Sequence, residues 1–375
     1  MQRLVMRWAK LSLSCLILMG CASSPDQSPE HTTPSKTDNA VTPIVPVTPV
    51  KPPKIPLKVV AVGDIMLGTD FPEDRLPPDM GQHLLAPVHN ILADADITLG
   101  NYEGSFLTGG EPAKQCRNPA HCYLFRTPPS YVQHLVDAGF DMLSLANNHA
   151  RDFGEAGRTN SMAVLAEAGL GHSGRAGDIA SVEHNGLRIA FIAYAPFRGA
   201  NNPLDLRLAQ TTITELSKRY DLVFVSMHMG AEGEQATRIP FEVEMYHGEN
   251  RGDVVRFART VIDAGADLVI GHGPHVPRAL ELYQGRLIAY SLGNFCTYYG
   301  VNVKGVNGLA PILKVELADD GEFLAGRIIS ARQMRPLGPV LDVEHTAARL
   351  IGELTRQDFP TTPLEINASG LIVRK

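Results

Sequence analysis

From Leu57 onward, short apolar runs alternate with stretches of helical period, and run after run stops on a cluster of Gly, Asp, Asn, Glu or His. Runs this short suit buried strands, and the amphipathic stretches suit helices laid over them. The pattern predicts strands at Lys58–Val62, Ile97–Leu99, Asp141–Leu145, Ile189–Tyr194, Leu222–Met227, Leu268–Ile270 and Leu287–Tyr290. It predicts helices at Leu84–Ala93, Ser130–Ala138, Glu155–Ala168, Thr212–Arg219 and Val254–Ala264. Alternation of this kind builds an α/β fold, whose ligands gather outside the carboxyl ends of the strands. The polar clusters stand at those ends. Two later runs, Ile312–Leu317 and Arg327–Ser330, have no helix between them and are expected to be antiparallel, and a helix is expected over His345–Thr355.

The clusters carry the chemistry. Asp64 follows the first strand within Gly63-Asp64-Ile65-Met66-Leu67-Gly68, and Glu103 follows the second within Asn101-Tyr102-Glu103-Gly104. Asn148, His149 and Asp152 crowd a strand-to-helix turn, where burial would cost several kcal/mol per unpaired group. His228 and Glu232 converge if the chain turns at Gly230. His272 and His275 sit three apart on a loop shaped by Gly and Pro, a spacing suited to a metal. Asp64, Glu103, Asn148, His228, His272 and His275 form a donor set of oxygen and nitrogen without thiolate. Such a set suits one or two divalent ions of Mn, Fe, Zn or Mg. His149 is the candidate general acid or phosphate ligand, with Asp152 orienting its ring. With Glu232 they are the candidate catalytic residues.

The N-terminus reads as an export address. Arg3, Arg7 and Lys10 precede the apolar stretch Leu11–Met19, and Leu18-Met19-Gly20-Cys21 resembles a bacterial lipobox. Residues 1–20 are expected to be a lipoprotein signal peptide, with Cys21 lipidated. Such a chain would be exported and anchored to a bacterial membrane, the outer one in a cell with two. Residues 21–56 hold nine prolines among Ser, Thr, Lys and Val, a composition for an extended tether. The net charge of −6 falls to near −9 once Arg3, Arg7 and Lys10 leave with the signal, which argues against a nucleic-acid partner. Export permits a disulfide between Cys116 and Cys122, which flank a short loop; a zinc site with His121 would need two more ligands.

In this order, the runs around Asp64, Glu103, His149, His228 and His275, with Tyr290-Ser291-Leu292-Gly293-Asn294-Phe295, resemble the CapA family of bacterial capsule-synthesis proteins. The resemblance covers Leu57 to Phe295. It implies a metallophosphoesterase-like four-layer α/β/β/α sandwich, here over residues 57–337, with 338–375 as an extension packed on it. Two metal-shell histidines of metallophosphoesterases are replaced, by Met66 and Gly273. The family implies a role in synthesis or export of poly-γ-glutamate, with that anionic polymer or its synthase components as partners. Arg126, Arg151, Arg278 and Asn294 are then the candidate substrate contacts, since guanidinium forks match carboxylates. A metal-dependent phosphoesterase of the envelope and a non-catalytic scaffold for polymer or partners are the alternatives.

Overall fold

The computed structural model describes residues 55–114 and 122–375, and Pro53–Lys375 form one compact unit. The signal segment, most of the tether, Cys21 and Cys116 lie outside the described residues.

Two sheets build the domain. The larger runs Leu364–Ile366, Leu371–Arg374, Phe323–Ile329, Ile312–Leu317, Leu57–Met66, Ile97–Tyr102, Met142–Ser144, Gly171–Ser173, and Asn294–Thr297 also pairs with Leu57–Met66. The smaller runs Leu280–Tyr283, Arg286–Ala289, Leu268–His272, Leu222–His228, Leu187–Tyr194, Ala180–His184. Strands joined through helices are parallel at the centre of each sheet. The helix-free pair Ile312–Leu317 and Phe323–Ile329 is antiparallel, as the sequence pattern required.

Period-two alternation fixes the layers. Leu222 and Phe224 enter a core shared with Val59, Ala61 and Leu99 of the other sheet. Val223, Val225 and Met227 face outward onto Ile213, Phe257 and Val261, which belong to the helices Leu206–Ser217 and Val254–Asp263. On the far side, Val60, Val62 and Leu143 pack on Leu92, Leu135 and Leu165 of the helices His89–Leu92, Val132–Asp137 and Gly154–Glu167. The fold is a four-layer α/β/β/α sandwich. Each buried aliphatic or aromatic side chain contributes about 1.5–3 kcal/mol.

Several elements differ from expectation for identifiable reasons. The helix expected at Leu84–Ala93 is a 3-10 turn, Ala86–Val88, and one α turn, His89–Leu92; Pro87 has no N–H to give a longer helix. The helix expected from Thr212 begins at Leu206, where the Asp205 carboxylate accepts from Leu208 N. The segment 338–375 is more than an outer layer. Leu364–Ile366 and Leu371–Arg374 extend the large sheet, and Ala348 and Ile351 of the helix Thr346–Asp358 fill the core between the sheets. Thr355 and Thr362 hydroxyls accept from Leu280 N (3.0 Å) and Leu282 N (2.9 Å). They satisfy the edge of the smaller sheet, which would otherwise be open to another strand. Among the described residues, no helix is long and apolar enough to cross a membrane.

Candidate metal centre

The same alternation that fills the core delivers the polar groups. Leu222 and Phe224 are followed on one face by Ser226 and His228, Leu268 and Ile270 by His272, and Ile97 and Leu99 by Asn101. Leu57–Met66 arrives differently. Its odd residues Leu57, Val59 and Ala61 enter the core, but the register slips by one residue between Ala61 and Asp64. This bulge turns Asp64 to the face that Gly63 would have taken. Only glycine fits at 63, since a Cβ there would stand 2.0 Å from Gly293 O. That carbonyl accepts from Asp64 N at 2.9 Å.

Loops bring the remaining donors. Glu103 N donates to Ile65 O at 2.8 Å, holding the loop after Ile97–Tyr102 against the central strand. The Asn147 amide donates to Tyr102 O (2.8 Å) and accepts from His149 N (3.0 Å), shaping the turn that presents Asn148 and His149. His275 has φ 59°, a left-handed conformation that costs a non-glycine residue on the order of 1 kcal/mol. Buried Asn294 holds it there: its amide donates to His275 O (3.1 Å), and its carbonyl meets His275 Nδ1 at 2.9 Å.

These donors converge around Glu103, which is 1% exposed. Its Oε1 lies 3.7 Å from His275 Nε2, 4.0 Å from His228 Nε2 and 4.0 Å from His149 Nε2. His275 Nδ1 lies 3.1 Å from Asp64 Oδ2, and donor atoms of Asp64, Glu103 and His275 all fall within 4.8 Å of one another. Both Glu103 oxygens, Asn148 Oδ1 and His228 Nε2 are buried without a hydrogen-bond partner. A buried polar atom left unpaired costs about 1–3 kcal/mol. Donors about 2.0–2.2 Å from one cation stand 3–4 Å apart from each other, so this group of unpaired atoms fits a divalent ion.

Burial and the crowding of charge set the electrostatics of the cluster. Burial pushes the Glu103 carboxyl up to about 8, with Asp64 and Glu232 adding repulsion against the pull of His275. Burial also opposes ionisation of Asp64, but the His275 hydrogen bond and charge outweigh it and hold Asp64 below the usual carboxylate range. Burial keeps His228 well below its ordinary value and lowers His149, the latter against the attraction of Asp152. A neutral imidazole is the form that ligates a metal, and His228 and His149 are held in it. Burial lowers His275 too, but the charges of Glu103 and Asp64 outweigh it and raise His275 well above its ordinary value, so a cation there takes the place of the His275 proton.

His149 Nδ1 lies 2.7 Å from Asp152 Oδ2, which also accepts from Phe125 N at 2.9 Å. Asp152 therefore orients the ring. Glu232 sits across the cavity, 3.9 Å from His275 Nε2 and 2.8 Å from Arg251 Nη1. His272 stands apart from the cluster: its Nε2 bonds Val62 O (3.1 Å) and its Nδ1 meets Ser226 Oγ (3.2 Å). Both ring nitrogens are engaged within the sheets, in place of the metal ligation expected for it. Met66 is buried, its sulfur accepting from Gly68 N. Gly273 has φ 106°, which strains any side chain, and a Cβ there would press on the His228 ring and the Met229 N at 3.1 Å.

Three expected substrate contacts are structural instead. Arg278 is fully buried; it forks onto Glu244 at 2.8 and 2.7 Å and bonds Ala236 O and Ala231 O. Four of its five N–H donors are spent inside the fold, and full burial keeps the group from a ligand in the cavity. Arg126 bonds Asp70 and Gly110 O and lies over Phe71 and Phe153. Asn294 is consumed in positioning His275 and also bonds Asn302 O and Asn307 O. Arg151 alone borders a cavity. Cys122 is disulfide-bonded, while its expected partner Cys116 lies outside the described residues.

Sequence reasoning missed Lys114, whose Nζ lies 3.2 Å from Asp152 Oδ1. It also missed Phe125, which packs on His149 with ring centroids 4.3 Å apart. Both occur in irregular segments without periodicity, so nothing in the pattern marks them. The cluster opens into a cavity of about 220 Å³ lined by Glu103, Glu232, Glu234, Asn148, His149 and His275, with Tyr123, Phe125 and Tyr246 among its walls.

The family profile described as "Bacterial capsule synthesis protein PGA_cap" matches residues 58–299. The chain is 30% identical over 251 residues to the PGA biosynthesis protein CapA of Bacillus subtilis (strain 168), covering 62% of this chain and 61% of that protein. It is 30% identical over 262 residues to the capsule biosynthesis protein CapA of Bacillus anthracis, covering 64% of this chain and 59% of that protein. A probable polyglutamine synthesis accessory protein of Mycobacterium tuberculosis is 30% identical over 269 residues, covering 64% of this chain and 66% of that protein. The match thus spans about three fifths of the length of the Bacillus relatives. Among solved structures, the calcineurin-like phosphoesterase YfkN of Bacillus subtilis superposes with a TM-score of 0.43 at 13% identity, over 82% of this chain and 98% of that chain.

Proposed function

Because the chain belongs to the bacterial capsule synthesis family PGA_cap, we propose that it acts in the assembly or export of a poly-γ-glutamate-type polymer, through a site that depends on a divalent cation. The observation that carries this is the convergence of unpaired buried donors on Glu103. Asp64, Glu103, Asn148, His228 and His275 would hold the ion. Once bound, it would supply Lewis acidity and an activated water for attack on a carbonyl or phosphoryl centre.

The chain's own groups do the rest. Asp152 fixes the His149 ring with Nε2 turned toward Glu103, placed to exchange a proton with a leaving group. Phe125 covers one face of that ring and limits water around it. Among the described residues no Lys or Arg lines this cavity, so an anionic substrate needs the cation to offset Glu103, Glu232 and Glu234. By the same reading, Cys21 carries a lipid and the Pro-rich segment tethers the domain outside the cytoplasm, beside the synthase components.

The test is genetic and analytical. A producing strain deleted for this protein is complemented with wild type, Asp64→Asn or His149→Asn, surface polymer is measured, and purified protein is assayed for metal. Wild type should carry stoichiometric metal and restore polymer, and both variants should fail to restore it. Full restoration by both variants would make the protein a scaffold.

A further inference from the structure

A second cavity, of about 250 Å³, opens beside the first and has the opposite character. Lys114, Arg151, Arg158 and Arg198 line it, and among the described residues no acidic side chain does. Among the described residues, the first cavity is lined by three glutamates and by no Lys or Arg. Asn148 lines both, and its Oδ1 is among the unpaired buried atoms of the metal cluster. One amide side chain therefore stands between an acidic chamber and a basic one.

The basic groups differ in what they have to offer. Arg158 is engaged, bonded to both Glu155 oxygens and to Gly199 O. Lys114 leans on Asp152. Arg151 has a buried Nε without a hydrogen bond, 3.6 Å from Glu155, and its Nη1 reaches only the Arg198 carbonyl at 3.4 Å. Arg198 is exposed. Gly154, the first residue of the helix Gly154–Glu167, also lines the chamber, and no side chain caps that helix. The positive end of a helix of this length adds to the field of the guanidinium groups.

We propose that this chamber binds an oxyanion group, carboxylate or phosphate, carried by the substrate whose reacting bond lies at the cation site. The inference rests on the metal-centre reading above and narrows the substrate class. The substrate bears a fixed negative charge about one amide side chain away from the bond that reacts. A polyamide with a free carboxylate beside each linkage meets this requirement, and so does a phosphorylated precursor. Neutral polyamides and unsubstituted esters do not.

The test is calorimetric titration of the full chain with inorganic phosphate and with glutarate, each with and without EDTA. At least one probe should bind in EDTA, bind at least tenfold more weakly to the Arg151→Gln/Arg198→Gln double variant, and bind normally to Asp64→Asn. Arg151→Lys, which keeps the charge without the fork, should fall between wild type and the double variant, and unfolding temperatures check that all variants fold. Tighter phosphate binding assigns the chamber to a phosphorylated group, and tighter glutarate binding to a carboxylate. Binding that vanishes in EDTA, or that the double variant retains, would overturn the proposal, as would no binding of either probe to wild type. Metal analysis of the same samples is separate: wild type without metal sinks the metal-centre reading but leaves anion binding in EDTA to be judged alone.

Discussion

Replacing Glu103 by Gln should stabilise the metal-free protein and weaken the metal-bound one, a reversal of sign that few side chains would give. Glu103 is buried with both oxygens unpaired. Its carboxyl is pushed from 4.5 up to about 8. In the folded protein it therefore keeps its proton across a range in which the unfolded chain has released it. Folded and unfolded states are equally protonated below pH 4.5. Between 4.5 and 8 the folded state binds more protons, so the wild type loses stability as pH rises, and the loss is complete above 8. At pH 7 it amounts to at most about 3 kcal/mol, because the substitution also removes the charge that raises His275. With an unfolding entropy of about 2.1 cal/mol/K per residue over roughly 320 residues, that corresponds to roughly 4–5 °C. Thermal unfolding in EDTA from pH 4 to 8 should show Glu103→Gln gaining on wild type by up to this amount at pH 7 and by nothing at pH 4. With excess Mn²⁺ the order should invert, because the ion binds the carboxylate in the wild type and only an amide in the variant. A variant less stable than wild type in EDTA at pH 7, or one stabilised equally by Mn²⁺, would refute the idea that Glu103 is held in place for a cation.

Further expectations follow from the same geometry. His275→Ala should lower bound metal at least tenfold by elemental analysis, whereas His272→Ala should leave metal content intact and cost about 1–3 kcal/mol in denaturant unfolding, because Val62 O loses its partner. Asp152→Asn should reduce turnover on any substrate found by about 10²–10⁴-fold while metal content stays unchanged, since Asp152 touches only the His149 side of the site. Asp267, which burial pushes up to about 6, penalises the fold as pH rises from 4 to 6. Asp267→Asn should therefore outlast wild type in urea at pH 7 by about 2–3 kcal/mol, and the two should converge near pH 4.

The sequence pattern made the architecture legible where each strand obeys one rule throughout. Leu222–His228 keeps its period of two to the last residue, so core and candidate donor lie on one face and His228 could be read from the pattern. Helices were visible where an amphipathic stripe ran unbroken, as in Val254–Asp263. What escaped was set by contacts remote in sequence. Thr355 and Thr362 carry no pattern that says they cap a strand edge more than seventy residues away. Arg278 looked available beside a histidine motif, but Glu244 comes from a hairpin whose folding over it depends on tertiary packing.

The two faces of the motif GHGPH show why residue type alone could not rank its histidines. His272 still belongs to the strand Leu268–His272, directly opposite His228 in register. A ring in that position is surrounded by backbone from both sheets, and Val62 O and Ser226 Oγ meet its nitrogens before any ion could. His275 has left the strand, and its left-handed backbone, held by Asn294, swings the ring toward Glu103. Gly273 lets this happen because its own lack of a side chain keeps the His228 ring clear. Loss of a histidine at 273 and engagement of the one at 272 both remove donors from the same side of the cluster. On the proposed reading, the five donors that remain, Asp64, Glu103, Asn148, His228 and His275, match the ligand count of a single ion. Titration of metal-stripped protein with Mn²⁺ should accordingly saturate at one equivalent, and two tight equivalents would refute the single-ion reading.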